Sequence, residues 1–155
     1  MKFQITFRNY RLFCSLAKYI HVSGVNSKLA NGRHFLMWDF DNLGEEIIRN
    51  ELLRIQKKFH LSQIYLINTG LTGYYHAYCF LDFDWANTLY ILASTQGIDK
   101  MYFTIGVARG YFTLRYTPKK SRDFKPAIIL SSKVKETVNP YTLKSFIDYP
   151  TKRGA

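Results

Sequence analysis

The sequence is poor in side chains that bind metals or form cross-links, with two cysteines and four histidines among 155 residues. Cys14 and Cys79 lie in apolar surroundings typical of reduced, buried thiols, and so few potential ligands argue against a structural zinc site. A long hydrophobic run is also missing, because Arg8, Arg11 and Lys18 interrupt the apolar N-terminal stretch. The sequence therefore predicts neither a signal peptide nor a membrane-spanning helix, and we expect a cytoplasmic protein without a membrane partner.

Acidic residues are also scarce, with 11 against 22 lysines and arginines, which gives a formal net charge of +11. Their distribution is uneven: residues 1–33 carry +6 and no acid, residues 34–99 carry −4, and residues 100–155 carry +9. An acidic centre between two basic segments indicates a metal site within a surface that binds a polyanion. The hydrophobic fraction of 47% excludes a disordered chain, and the length predicts a single domain over residues 1–155.

Hydrophobic patterning predicts an α+β fold. We expect strands over 2–7, 34–41, 64–67, 74–81 and 127–130, helices over 43–59, 85–95 and 141–147, and a hairpin formed by 102–107 and 111–117. Asn42 is expected to cap the first helix, and the Ser-, Asn- and Gly-rich residues 23–33 are expected to form a loop. The central order strand–helix–strand–strand–helix–strand predicts an antiparallel or mixed sheet with helices on one face, similar to an RNA-recognition-motif (RRM) core.

The first candidate site lies at the end of the strand predicted over 34–41, where Asp39 and Asp41 are one residue apart. In a strand these two carboxylates project from the same face, and they repel each other unless a cation lies between them. Hard oxygen ligands of this kind suit Mg²⁺ or Mn²⁺. The alternative is a solvated pair at a strand end. Asp82 and Asp84 form a second such pair, but at a strand-to-helix junction where a helix cap is favoured.

Further along the chain are groups suited to phosphate. The glycine turn that begins at Thr69 and Gly70 allows close backbone approach to a ligand, and His76 on the following strand can donate a hydrogen bond or a charge to a triphosphate. Arg115 lies in an apolar strand and needs an anionic partner, either one of the first aspartate pair or a nucleotide phosphate.

A third candidate site is a group of cations that is predicted to contact a nucleic-acid backbone. Its members lie in the predicted hairpin turn and in the basic loop that follows: Arg109, Lys119, Lys120 and Arg122.

Together, the Asp39-x-Asp41 pair, the glycine turn leading to His76, and Leu114-Arg115 followed by lysines resemble the motifs of the archaeo-eukaryotic primase superfamily. The resemblance covers about residues 34–122 and leaves 1–33 and 123–155 as basic flanking elements. It implies a primase-polymerase-like core with an RRM-like half. It also implies metal-dependent nucleotidyl transfer by a DNA or RNA primase, or a primase-polymerase, of a replication system. The small size of the chain suggests a viral or plasmid origin.

The same resemblance implies roles for individual residues. Asp39, Asp41 and Asp99 would be catalytic and hold Mg²⁺ or Mn²⁺, although Asp99 lies further upstream than the family's third motif and is alternatively a turn residue. The nucleotide would be bound by Thr69, Gly70, His76 and Arg115. Implied partners are a single-stranded DNA or RNA template, nucleoside triphosphates, and a helicase or other replication proteins, in the host cytoplasm if the chain is viral.

Two alternatives remain at this point. A catalytically inactive chain would be a single-strand-binding module that uses the same basic and aromatic surface. Residues 38–42 also resemble the first motif of haloacid-dehalogenase-type phosphohydrolases, in which the first aspartate is a nucleophile and the second an acid/base. That family has a second acidic cluster late in the chain, whereas the late acids here are the scattered Asp123, Glu136 and Asp148.

Overall fold

The computed structural model describes residues 2–8, 10–15, 19–20, 22–117, 124–146 and 149–150. In chain order the elements are β1 (Lys2–Phe7), β2 (Tyr10–Ser15), β3 (Tyr19–Ile20), β4 (Gly24–Asn26), β5 (His34–Phe40), α1 (Glu45–Phe59), β6 (Ile64–Asn68), β7 (Tyr75–Phe83), α2 (Trp85–Ala93), α3 (Lys100–Arg109), β8 (Thr113–Arg115), β9 (Ile128–Leu130), a 3₁₀ turn (Pro140–Thr142), β10 (Ser145–Phe146) and β11 (Tyr149–Pro150). This described part is a mixed α+β structure with antiparallel sheets and three helices. None of these helices is long and apolar enough to cross a membrane.

The main sheet has four strands in the order β5-β7-β6-β9, and every pairing in it is antiparallel. A second sheet has the order β10-β4-β8, and two further pairs are β1-β2 and β11-β3. Strands β5, β6, β7 and β9 lie within one or two residues of the ranges expected from the sequence, because each is an apolar run bounded by turn residues. The predicted α+β class is therefore confirmed.

The two faces of the main sheet differ in what they contact. Trp38 and Phe40 lie on one face, where the Trp38 indole Nε1 donates to the Thr95 hydroxyl at 3.0 Å just after α2. Tyr75, opposite Phe40, places its hydroxyl 3.3 Å from Glu45 of α1 on the same face. The first two helices thus cover one face, and Asp39 projects from the other because strand side chains alternate.

Helix α1 is amphipathic, and Ile48, Leu52 and Ile55 are buried against the sheet. Its acidic first turn and basic last turn suit the helix dipole. The prediction that Asn42 caps this helix is wrong, because Gly44 is the N-cap residue and makes no side-chain cap. Asn42 instead adopts φ 59° in the turn that leads from β5 to the helix.

The largest error of the sequence-based prediction lies at 102–107, which forms helix α3 instead of a strand. Asp99 caps the helix by accepting from the Tyr102 amide at 2.6 Å, and Gly110 ends it in a left-handed conformation. The aromatic and β-branched residues of this segment favour strands, but the two caps and tertiary packing outweigh that preference. Of the predicted hairpin only β8 remains, and it pairs with β4, which lies inside the predicted 23–33 loop. The helix predicted over 141–147 is also wrong, because a 3₁₀ turn and β10 stand there.

The outer edge of β5, opposite its pairing with β7, is covered by other parts of the chain. The Phe35 amide donates to the Ser27 carbonyl at 3.1 Å. The Met37 carbonyl accepts from the Tyr102 hydroxyl at 2.9 Å, and the Asp39 carbonyl accepts from the Asp99 amide at 2.8 Å. The N-terminal part of α3 is therefore fixed against the strand that carries Asp39.

Candidate active site

A cleft of about 770 Å³ opens on the face of the sheet from which Asp39 projects. Its lining combines three carboxylates, two guanidinium groups and a histidine, with hydroxyl and aromatic side chains around them. The residues of this set used below are Asp39, Asp41, Thr69, His76, Asp99, Tyr102, Arg109, Arg115 and Phe124. Residues predicted from separate motifs thus meet in one cavity, although Asp39 and Arg115 are 76 positions apart in the sequence.

Asp39 and His76 are neighbours because they are directly paired across β5 and β7. The His76 Nε2 lies 3.6 Å from the Asp39 carboxylate, which is too long for a hydrogen bond. A nearby carboxylate favours a charged imidazole, but burial and the positive charge of Arg115 outweigh it and lower the pKa of His76 to about 4. His76 is therefore neutral at pH 7 in the ligand-free protein.

Asp41 follows the last residue of β5 and is exposed, whereas Asp39 within the strand is half-buried. Both carboxylates line the cleft, as the strand alternation predicts. The buried neighbours of Asp39 in sequence, Trp38 and Phe40, anchor the strand in the core from the opposite face. The position of the pair is thus fixed by the best-packed strand of the sheet.

Asp99 has a structural role that the sequence left open. Its carboxylate caps α3 and its amide donates to the Asp39 carbonyl, so that it lies beside the first aspartate pair. It also lines the cleft. Asp99 thus stands in the turn before the helix and also forms part of the cleft wall.

Tyr102 is a cleft residue that sequence reasoning missed. The residue is half-buried, and its hydroxyl donates to the Met37 carbonyl at 2.9 Å. Burial and the nearby charge of Asp39 raise the pKa of Tyr102 well above its usual value, so the hydroxyl keeps its proton. The signal in the sequence that could have placed Tyr102 near the site is the spacing Asp99-x-x-Tyr102, in which an aspartate caps a helix and Tyr102 occupies the third helical position.

The turn between β6 and β7 contributes one of its two predicted residues to the cleft. Thr69 lines the cavity, whereas Gly70 is not among the lining residues, and its amide already donates to the Asn68 side chain at 2.9 Å. Gly73 in the same turn has φ 84°, and its carbonyl accepts from the Leu43 amide at 3.1 Å. These contacts hold the turn against the start of α1.

The cations of the cleft come from α3 and β8. Arg109 is the last residue of α3 instead of a hairpin-turn residue, and Arg115 ends β8. Burial lowers the pKa of Arg115, although a guanidinium group stays charged at any physiological pH. Lys119, Lys120 and Arg122 lie outside the described residues. Phe124, the first described residue after them, places its ring 6.0 Å from that of His76.

The second aspartate pair is separate from the cleft. Asp84 caps α2 by accepting from the Asn87 amide at 2.7 Å, which confirms the predicted cap. Asp82 forms an ion pair with Arg33 and a hydrogen bond with Thr137, so it is not merely solvated.

Metal binding can be tested against the donor set. Among the described residues, no three histidine, cysteine or acidic side chains form a group that could hold a metal ion by themselves. Mg²⁺, however, is commonly bound by one or two carboxylates together with water and substrate phosphates. Asp39 and Asp41 fit that mode of binding, and Asp99 has one carboxylate oxygen committed to its helix cap.

Comparison of the chain with protein families, with curated proteins and with solved structures finds no match. The geometry of the cleft is therefore the basis for assigning a function.

Proposed function

We propose that the cleft catalyses metal-dependent, template-directed nucleotidyl transfer, as the resemblance to the archaeo-eukaryotic primase superfamily implies. The observation that supports this most is the convergence of the first aspartate pair, Asp99, His76 and Arg115 on one cavity. A site for a magnesium–triphosphate needs oxygen ligands on one side and donors or positive charge on the other. The volume of about 770 Å³ is ample for a nucleotide.

In this proposal Asp39 and Asp41 hold the metal, and the free oxygen of Asp99 supports them. When bound, Mg²⁺ or Mn²⁺ lowers the pKa of the attacking 3′-hydroxyl and offsets charge on the leaving pyrophosphate. The chain's own contribution is rigidity, because β5 is buried on both sides and α3 is fixed to its edge. Such fixed groups need little reorganisation during the reaction.

The triphosphate is bound by His76, Arg115 and Thr69. Because His76 is neutral at pH 7, it acts as a hydrogen-bond donor, and Arg115 supplies the fixed positive charge. Arg109 is exposed and lines the cleft, where it contacts the template or primer backbone in this proposal, and Lys119 and Lys120 have the same proposed role.

The strand order supports an RRM-like core in this proposal. Strand β7 lies between β5 and β6, and α1 connects β5 with β6, as in the first three strands of that fold. The difference is at the β5 edge, which α3 covers, while β9 is added beyond β6. The partners that accompany this function are a single-stranded template, nucleoside triphosphates and replication proteins, in the cytoplasm.

The phosphohydrolase alternative receives no support from the cleft. It needs a late acidic group near the first aspartates, and Glu136 instead contacts the Gln63 amide at 3.3 Å and does not line the cavity. Asp123 and Asp148 lie outside the described residues.

The proposal is tested by incorporation of labelled ribo- or deoxynucleotides on a single-stranded template with Mg²⁺ or Mn²⁺. We expect the Asp39→Asn/Asp41→Asn variant to lose at least about 100-fold in rate, a typical effect of removing groups that stabilise the transition state. The matched control is Asp82→Asn/Asp84→Asn, the pair outside the cleft, which should keep near wild-type activity.

Each other outcome has a defined meaning. Equal activity of the two double variants would refute a metal site at Asp39 and Asp41. No product from the wild type, with template still bound equally by all variants, would refute catalysis and favour the single-strand-binding module.

A further inference from the structure

The β1-β2 hairpin presents large apolar side chains to solvent at its tip. Phe7 and Tyr10 are 71% and 80% exposed, and Ile5 is 61% exposed. Phe7 and Tyr10 are direct partners in the antiparallel register, so their side chains project from the same face. Ile5 lies two residues before Phe7 and therefore shares that face. Two adjacent aromatic rings thus form a solvent-exposed surface.

Positive charge lies next to this aromatic pair. Arg8, between the two strands with φ 52°, places its guanidinium 6.0 Å from the centroid of the Phe7 ring. Arg11 on β2 is also exposed, but it follows Tyr10 and pairs with Thr6, so its side chain projects from the opposite face of the hairpin. No acidic residue occurs in positions 1–33 to neutralise these arginines.

We propose that this hairpin binds single-stranded nucleic acid, with bases stacked on Phe7 and Tyr10 and a phosphate paired with Arg8. Aromatic side chains next to basic residues on a β-ribbon form a stacking platform that accepts any base, because every base has a π-face. The hairpin needs neither a metal nor a triphosphate, so this binding does not depend on the proposed catalytic activity.

Other occupants fit the surface less well. Among the hairpin side chains whose exposure is described, three apolar ones are exposed, which is a narrow surface for insertion into a lipid bilayer. A second copy of the chain would bring its own Arg8 to the same surface, and like charges would oppose that contact. A polyanion with flat apolar groups complements both the rings and the charges.

The first test measures binding of a fluorescent oligothymidylate by anisotropy in EDTA, where no catalysis occurs. We expect Phe7→Ala/Tyr10→Ala to weaken binding at least about fivefold without changing the dependence on salt. The control Tyr90→Ala/Tyr141→Ala removes two other exposed rings and should bind as the wild type does. Because all four rings are exposed, the variants should fold normally, which circular dichroism verifies.

The second test separates charge from stacking. For Arg8→Gln we expect the slope of log affinity against log salt to fall by about 0.7, since each phosphate contact on a single strand contributes about 0.7. The control Lys133→Gln/Lys135→Gln removes two exposed charges elsewhere and should leave the slope unchanged. On an oligonucleotide with abasic positions, the effect of Phe7→Ala/Tyr10→Ala should disappear.

The proposal is overturned by any of three results. The first is unchanged oligonucleotide affinity in Phe7→Ala/Tyr10→Ala. The second is binding of the wild type, but not this variant, to phosphatidylserine vesicles with oligonucleotide binding unaffected, which would indicate a membrane surface. The third is a concentration-dependent dimer, seen by sedimentation, that only this variant loses. Asp39→Asn/Asp41→Asn should retain hairpin-dependent binding, so failure of catalysis and failure of this proposal are distinguishable.

Discussion

When the pH is lowered from 7 to 4, His76 is protonated at a higher pH in the unfolded chain than in the folded protein. The free energy of unfolding should therefore fall by a measurable amount. The ordinary pKa of the imidazole is 6.5, and burial with the charge of Arg115 lowers it to about 4 in the fold. Between these values the unfolded state binds more protons, so stability is fully present above pH 6.5 and decreases as the pH falls towards 4. A difference of 2.5 pKa units corresponds to about 3 kcal/mol.

The assay is urea unfolding in EDTA at several pH values between 4 and 7.5, followed by the fluorescence of the buried Trp38. We expect the free energy of unfolding of the wild type to fall by about 3 kcal/mol more than that of His76→Gln over this range. Burial and Lys28 also lower the pKa of His34, but His34 is present in both proteins and its effect cancels. Identical pH dependence of wild type and His76→Gln would refute the neutral, buried imidazole.

Three further substitutions test how the cleft is supported. Gln56→Met should lower the free energy of unfolding by about 1–3 kcal/mol in urea titrations, because the buried carbonyls of Ser62 and Leu130 lose their hydrogen-bond donor. An unchanged free energy of unfolding would show that these carbonyls do not require the Gln56 side chain. Gly106→Ala should lower the free energy of unfolding by about 1–3 kcal/mol in the same titrations, because a Cβ would overlap the Phe112 ring. In the control Gly44→Ala the new Cβ would lie 3.9 Å from its nearest neighbour, so the loss should be smaller. Equal losses in the two variants would argue against the overlap. Tyr102→Phe should cost about 1 kcal/mol through loss of the hydroxyl's hydrogen bond to β5, and thermal unfolding at neutral pH that matches the wild type would count against that contact.

The parts of the fold that sequence patterns predict are those set by local periodicity. Strand β5 and helix α1 follow from an apolar run and a 3.6-residue repeat, and Asp39 and Asp41 were assigned to one face for the same reason. The meeting of these aspartates with His76 depends on the register of β5 and β7. Because α1 and β6 separate these two strands in the chain, no turn between them fixes that register.

What the sequence did not predict depends on contacts between distant residues. The aromatic and β-branched residues of α3 favour strands, and the helix is stabilised by the Phe112 ring against Gly106 and by the bond from Tyr102 to β5. Strands β4 and β8 are three residues each and pair across about ninety positions of sequence, so no local signal marks them. The position of Asp99 was uncertain for the same reason, because it depends on where α3 begins.

The closed outer edge of β5 also affects whether substituted variants of the protein aggregate. An open strand edge is a template on which another chain can add a strand, and here loop and helix groups occupy that row of amides and carbonyls. The opposite edge of the main sheet, β9, is only three residues long and begins shortly after Pro126. Substitutions that detach α3 would therefore uncover the apolar strand that carries Asp39. Some variants of the cleft should accordingly be lost as aggregates before their activity can be measured, and soluble yield has to be determined beside every rate.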